Sequence, residues 1–276
     1  MEITEIIKDS FTFPVNNLKA LGIYIAFTLA AGIVIGLAAV CTQFSVNNSA
    51  LLIVSFLLLI VSLLIGFILA GYEIDIIKTG IDFEEIAPSI DIKNDLVRGI
   101  KAIIVAIVYY IIPAIITIIV AALTNLPQNM INVAQNLNQT IANTNGTVVA
   151  SSAIDMVPKE LIANLAGSIT LTVLVGIVLF IIFSFFHYMA NARLANTDSL
   201  GEALNIPEAF RDLSRIGFGK VIATVLLLII IVVVITAILG YIYQYIPALT
   251  ILNIIVSPFL MFAMNRANGL LYSDIV

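Results

Sequence analysis

Long apolar runs separated by short polar stretches dominate this chain. Six runs each hold roughly 20 residues or more with no charge well inside them, and a helix of that length crosses the hydrocarbon of a bilayer. Only a helix satisfies its own backbone hydrogen bonds in lipid, so even the Ile- and Val-rich run at 226–239 is predicted to be helical. The predicted spans are 19–43, 50–72, 99–124, 161–190, 219–243 and 248–265.

The polar stretches before the first, third and fifth predicted spans have the residue pattern of amphipathic helices. Apolar positions spaced i, i+3, i+4 and i+7 share one face of a helix, and Lys19, Lys101 and Lys220 follow the three segments. We therefore predict an all-α polytopic membrane bundle of three hairpins, each preceded by an amphipathic helix at the membrane interface. The three apolar faces are Ile3, Ile6, Ile7 and Phe11; Phe83, Ile86, Ala87, Ile90 and Val97; and Ile206, Ala209, Phe210, Leu213 and Ile216. Pro88 predicts a break in the second segment or a late start to its helix.

The third amphipathic segment has two candidate starts. Asn205 can cap a helix that has Glu208 three residues later, and Ser199 with Glu202 offers the same pattern upstream. Both starts remain open. The polar face of this segment is predicted to hold Glu208, Arg211, Asp212 and Arg215.

The recurrence of segment, lysine and hairpin predicts an internal repeat within a single domain, 1–276. The approximate units are 1–80, 81–197 and 198–276. The stretch at 125–160 is polar but lightly charged, and it is predicted to be an external loop. A short surface helix within it is predicted from the spacing of Met130, Val133, Ala134 and Leu137.

Composition and charge predict where the protein is located and how it is oriented in the membrane. The chain is 61% hydrophobic and 11% charged, whereas soluble domains carry about 25% charged residues. With the N-terminus inside, eleven of the twelve Lys and Arg residues face the cytoplasm and only Lys159 lies outside, as the positive-inside rule requires. We predict a cell-membrane protein with both termini cytoplasmic. Candidate N-glycosylation sites on the outside are Asn47, Asn138 and Asn145.

Motifs for catalysis and metal binding are absent from the sequence. The Gly-Lys at 219–220 lacks the Ser or Thr that a P-loop needs, and Cys41 and His187 are single residues of their type. We therefore predict no enzymatic activity, no catalytic residue, no metal and no cofactor. The net charge of −5 gives no basic surplus for nucleic acid. A membrane enzyme would have to use the loop carboxylates Asp75, Asp82, Glu84, Asp198 and Glu202.

Mild polar and small residues inside the spans are the remaining candidates for a site. Small residues let transmembrane helices approach closely, and hydroxyl and amide groups bond across helices. The candidate intramembrane polar pocket consists of Ser168, Thr172, Asn253 and Ser257. The candidate helix-packing residues are Gly32, Gly36 and Gly176.

Four short stretches carry a family resemblance. Gly71-Tyr72, Asp82-Phe83-Glu84, Gly99-Ile100-Lys101 and Ala209-Phe210-Arg211 resemble the archaeal membrane proteins grouped as domain of unknown function 4013. The chain departs from that pattern where Glu73 and Asp75 follow the Gly-Tyr, since basic residues are more usual there. The resemblance implies an archaeal cell membrane and a six-span body, and it implies no activity.

The sequence is compatible with two functions. The first is a non-catalytic integral membrane protein, a scaffold or envelope-associated protein that binds partners or lipid through its cytoplasmic amphipathic helices. Membrane lipids and protein partners are the expected contacts, and a homo-oligomer is compatible with the sequence. The alternative is a transporter or channel for a lipid or a small neutral solute, which internal repeats favour.

Overall fold

The computed structural model describes residues 1–143 and 156–276. Every regular element among them is helical. The predicted sequon at Asn145 and the side chain of Asn47 lie outside the described part. The α-helices are α1 (Ile3–Asn16), α2 (Leu18–Gln43), α3 (Ser49–Ile81), α4 (Ile92–Leu123), α5 (Leu126–Asn143), α6 (Lys159–Thr197), α7 (Leu200–Ala203), α8 (Ile206–Ile216), α9 (Phe218–Tyr245) and α10 (Asn253–Tyr272), with short 3₁₀ helices at Phe44–Asn47, Pro247–Leu252 and Ser273–Ile275.

Six helical stretches in the described part of the chain are long and apolar enough to cross a membrane, which confirms the predicted number of spans. Several helices continue past the predicted apolar runs. Helix α3 extends to Ile81, α4 begins at Ile92 and α6 extends to Thr197. These extensions carry polar residues beyond the length that hydrocarbon requires.

The chain forms two compact units. The first consists of Met1–Ile107 and Phe186–Val276, and the second of Val108–Phe185. In the first unit an aromatic cluster forms between α2, α3 and α10. The Phe262 ring lies 5.6 Å from that of Tyr24 and 5.9 Å from that of Tyr72, centroid to centroid. Tilted and edge-to-face rings at such distances stabilise a core beyond their buried area. The predicted division into three repeats stays a prediction.

Glycines allow three close helix contacts in the first unit. A Cβ added at Gly71 would collide with the backbone of Asp95, and one at Gly99 would collide with the carbonyl of Phe67, so α3 and α4 touch through their backbones. A Cβ at Gly80 would lie 2.6 Å from the Arg266 carbonyl oxygen of α10. Only residues without a side chain permit such an approach.

The predicted packing glycines lie elsewhere. A Cβ added at Gly32 or Gly36 would meet no other described atom within 4 Å. In the second unit, a Cβ at Gly176 would lie 3.2 Å from the side chain of Thr117.

The second predicted amphipathic helix does not form before Ile92, where α4 begins, so the prediction is wrong for residues 82–91 and the alternative of a late start after Pro88 is the one observed. Residues 82–91 are irregular, and Ile86 is 79% exposed rather than on a buried face. Pro88 lacks an N–H and disfavours helical geometry at the residue before it. Helix α3 ends at Ile81, and two residues later Phe83 has φ 56°, so that the N–H of Glu84 bonds back to the carbonyl of Thr79 at 2.9 Å.

The first and third segments are helices α1 and α8. Asn205 accepts from the N–H of Glu208 at 3.3 Å, and Ser199 accepts from that of Glu202 at 3.4 Å, so both candidate caps are used, for α8 and for α7. On α8, Asp212 was expected on the polar face but is only 1% exposed. The reason is a tertiary ion pair described below.

Helix α5 lies in the stretch predicted to be an external loop, where the sequence predicted a short surface helix. Val133 is buried on it, whereas Met130 and the sequon residue Asn138 are exposed. Asn125 joins α4 to α5 with φ 53°, in the left-handed region that Asn tolerates better than most residues.

Candidate functional site

Polar contacts concentrate at one part of the first unit, which we call the polar end. It consists of α1, residues 82–91, α7, α8 and the adjoining ends of α3, α4, α6, α9 and α10, through Asp274. Two arginines organise it, and each is nearly inaccessible to solvent.

Arg266 of α10 joins three segments. Its Nε donates to Asp9 of α1 at 2.7 Å, and its Nη1 donates to the carbonyl oxygens of Thr79 at 2.6 Å and Glu84 at 2.7 Å. The guanidinium carbon also lies 4.6 Å from the centre of the Phe13 ring. A cation at the C-terminal end of α3 is stabilised by the helix dipole as well as by these bonds. Arg266 is 2% exposed.

Arg193 of α6 is the second arginine that joins separate segments. Its guanidinium donates to Asp212 of α8 at 2.7 Å and to Glu202 at 2.6 Å. Tyr272 of α10 donates to the same Asp212 oxygen at 3.1 Å. Because Asp212 is buried, its charge requires these partners. The arginine therefore fixes α7 and α8 against α6 and α10.

Further ion pairs close the polar end around its edge. Arg98 of α4 pairs with Asp75 of α3, and Lys101 pairs with Asp198 at 2.9 Å. Asp274 pairs both with Lys220 of α9 and with the amino group of Met1, the latter at 3.0 Å. The two ends of the chain are thus neighbours.

The irregular segment 82–91 is also held by tertiary bonds. The Asn17 amide donates to the carbonyl of Glu85 at 3.0 Å and accepts from the N–H of Ala87 at 2.8 Å. Tyr72 donates to the carbonyl of Pro88 at 2.9 Å. These bonds replace the helical hydrogen bonds that the segment lacks.

Both apolar and cationic side chains remain uncovered at the polar end. Phe83 and Ile86 are exposed on the irregular segment, and Phe210 is 50% exposed on α8. Beside Phe210, the Arg211 and Arg215 side chains are 65% and 59% exposed. Helix α8 thus presents an aromatic ring and two guanidinium groups, although Arg211 also pairs with Glu208 and Arg215 with Asp212 on the same helix.

The predicted pocket residues fall into both units. In the second unit, Ser168 and Thr172 are buried on α6, and the Thr172 hydroxyl lies 3.3 Å from that of Thr124, the residue after α4. In the first unit, Asn253 and Ser257 are exposed on α10. Asn253 accepts a hydrogen bond from Tyr243 at 2.9 Å.

The second unit contains a groove of about 420 Å³ that includes one predicted residue, Ser168. Helices α4, α5 and α6 surround it. The groove also contains four polar residues that were not predicted as site residues, namely Thr124, Asn125, Asn129 and Asn164. Their signal was the concentration of Asn and Thr at 124–129, immediately after the third predicted span.

Metal ligands are not gathered anywhere in the described part of the chain. Among residues 1–143 and 156–276, His, Cys, Asp and Glu form no group of three or more that could hold a metal ion. The prediction that the protein is not an enzyme stays a prediction.

Six helices able to cross a membrane, in a chain whose described elements are all helical, define a multi-span membrane protein. The family model described as Protein of unknown function (DUF4013) matches residues 53–244, and the chain belongs to this family. The predicted resemblance is thereby confirmed, whereas its archaeal implication stays a prediction. No curated protein and no solved structure matches the chain.

Proposed function

We propose that the protein is a non-enzymatic membrane scaffold that holds a partner protein at its polar end. The observation that carries this proposal is the uncovered surface around Phe210, set on elements that Arg193 fixes in place. A surface that is already ordered loses little conformational entropy when a partner binds. Aromatic and arginine side chains are also the groups enriched at the energetic centres of protein interfaces.

The exposed charges suggest the chemistry of the partner. Arg211 and Arg215 project from α8, while the neighbouring Asp212 is buried. A partner that presents carboxylates beside an apolar patch would complement both parts of this surface, since arginine pairs with carboxylates in two-pronged geometry.

We further propose that the polar end is cytoplasmic, with both termini there. Arg98, Lys101, Arg193, Lys220 and Arg266 all belong to this end, and the side of a membrane protein that holds more Lys and Arg is usually cytoplasmic. Tags fused at residues 1 and 276 should both be shielded from membrane-impermeant reagents in intact cells. A tag that is labelled from outside would contradict the orientation.

Photo-crosslinking in native membranes tests the scaffold role. Benzoylphenylalanine at Phe210 should give a discrete protein adduct, because this ring is half-exposed and the aromatic replacement is conservative. The adduct should be lost when Arg211 and Arg215 are both changed to Glu. The matched control places the same group at Phe44, an exposed Phe at the opposite end of α2. Adducts to lipid alone, or an adduct unaffected by the double charge reversal, would contradict the proposal.

The alternative, a transporter or channel for a lipid or a small neutral solute, is favoured by the polar groove around Ser168. Reconstituted liposomes distinguish it from a scaffold. A scaffold should leave the flux of neutral solutes and the flip of labelled lipids at the level of protein-free vesicles. Flux that depends on the protein would favour the alternative.

A further inference from the structure

The groove of the second unit lies where the third predicted span ends and the fourth begins. Thr124 is at the end of α4, Asn125 and Asn129 are at the start of α5, and Asn164 and Ser168 are in the early turns of α6. We call this the amide groove. Its volume of about 420 Å³ is within the range of small-ligand sites.

The polar side chains of the amide groove are weakly engaged with each other. The Asn129 side-chain amide donates to the backbone carbonyl of Asn164 at 3.4 Å and to the Ser168 hydroxyl at 3.3 Å. Typical N–H···O bonds are about 2.7–3.2 Å long. A ligand that offers shorter bonds can therefore replace these contacts at little cost.

The chemistry of the lining selects a class of ligand. The described residues that line the groove carry no charge, so neither an anion nor a cation finds a counter-charge there. An apolar ligand would bury amides and hydroxyls without partners, which is also unfavourable. Each amide offers two donors and one acceptor. The Ser168 and Thr124 hydroxyls already donate to the backbone carbonyls of Leu165 and Ala121, so they offer acceptors to a ligand. A neutral ligand with several hydroxyl groups matches this set.

We propose that the amide groove binds a neutral polyhydroxylated group, the chemistry of a sugar. Its position where the third predicted span ends and the fourth begins is at the membrane boundary, which is the depth of a lipid headgroup. Two sources share this chemistry, the headgroup of a glycolipid and a free sugar. The inference is independent of the scaffold role, because it concerns a different unit of the protein.

Binding is measured on the full-length protein in phosphatidylcholine nanodiscs, prepared without sugar-based detergent because such a detergent would compete for the site. One preparation contains a diglucosyl diacylglycerol, a second contains phosphatidylglycerol, and a third receives free maltose. Native mass spectrometry measures how many lipid molecules each protein retains, and a titration with maltose measures whether maltose binding saturates. We expect preferential retention of the glycolipid over phosphatidylglycerol, or saturable maltose binding if the source is a free sugar. Equal retention of both lipids without saturable maltose binding would overturn the proposal.

A groove-filling variant makes the test specific. A Cβ added at Gly167, which lines the groove, meets no other described atom within 4 Å, so Gly167→Leu should fold normally while its side chain occupies the site. Gly32→Leu is the matched control, since Gly32 is also in a span helix with open space around it. We expect Gly167→Leu to weaken sugar binding at least about tenfold and Gly32→Leu to leave it unchanged. Asn164→Ala should weaken it by about fivefold, the factor of one net hydrogen bond.

Folding is checked independently of binding. Each variant should elute as the wild type does in size-exclusion chromatography and melt at a similar temperature. Unchanged binding by Gly167→Leu, or equal losses in Gly167→Leu and Gly32→Leu, would overturn the assignment of the site to this groove.

Discussion

Replacing Arg266 by Met should destabilise the polar end more than any change of an exposed arginine. The substitution keeps an unbranched side chain of comparable length but removes every donor. The carbonyls of Thr79 and Glu84 then lose their side-chain donor, Asp9 loses its cation, and Phe13 loses the stacked guanidinium.

The expected magnitude follows from these contacts. Each buried acceptor left without its donor costs about 1–3 kcal/mol. The carbonyl of Thr79 keeps the N–H of Glu84 as a donor, which lowers its share. The Asp9 side chain is 39% exposed and can be hydrated, so its lost pair adds only about 1 kcal/mol. Together with the lost contact to the Phe13 ring, a total of about 3–5 kcal/mol is expected.

Thermal unfolding of the solubilised protein measures the effect. At about 2–4 °C per kcal/mol for domains of this size, the apparent Tm should fall by roughly 10 °C. Arg266→Lys should lie between the wild type and Arg266→Met, because one ammonium retains the charge but cannot reproduce the planar fork. The control is Arg211→Met, which removes an exposed i,i+3 pair with Glu208 and should cost less than about 0.5 kcal/mol. Equal melting temperatures for Arg266→Met and Arg211→Met would refute the reasoning.

Three further changes test other contacts. Gly80→Ala should lower stability by about 3 kcal/mol in thermal melts because its Cβ would meet backbone 2.6 Å away, whereas Gly32→Ala should be neutral or stabilising by up to about 1 kcal/mol. Asn17→Ala should speed proteolysis within 82–91, since about 2 kcal/mol of side-chain bonding to that segment is lost; unchanged cleavage would count against this. Asp212→Asn should lower the free energy of unfolding by about 3 kcal/mol, because it weakens the buried pair with Arg193. A melting temperature equal to that of the wild type would contradict this prediction.

The spans could be predicted because lipid imposes a local requirement. Every residue of a crossing segment must tolerate hydrocarbon, and the segment must bond its own backbone, so length and composition suffice to find it. The cap residues Asn205 and Ser199 were found for a similar reason, since a cap bonds within three residues of itself. The helix α5 followed from the spacing of its apolar residues.

The failures occurred where distant residues decide the conformation. Periodicity at 83–97 predicted a helix, but Pro88 disfavours it and Asn17 and Tyr72 hold the segment in another shape. Asp212 has a polar side chain at a position that periodicity assigned to solvent, yet Arg193 draws it into the interior.

The candidate sites show the same division. Ser168 was recognised as a polar residue within a span, but Asn129 and Asn164 became part of the amide groove only through the turn from α4 into α5. Gly32 matched a packing motif and has open space around it, while Gly80 permits the contact of α3 with α10. A motif states which residue types could pack, and the neighbouring helix determines whether they do.

The sequence by itself determined that lipid surrounds most of this protein and how many helices can cross the membrane, because both depend on how many consecutive residues are apolar. It also determined the family, through four short stretches of specific residues. Only the tertiary structure decided which charges are buried, which glycines carry helix contacts and where a ligand-sized groove forms. Those properties depend on residues that are far apart in the chain. Arg266 and Asp9, for example, form an ion pair although 257 positions separate them, and no local sequence pattern predicts such a contact.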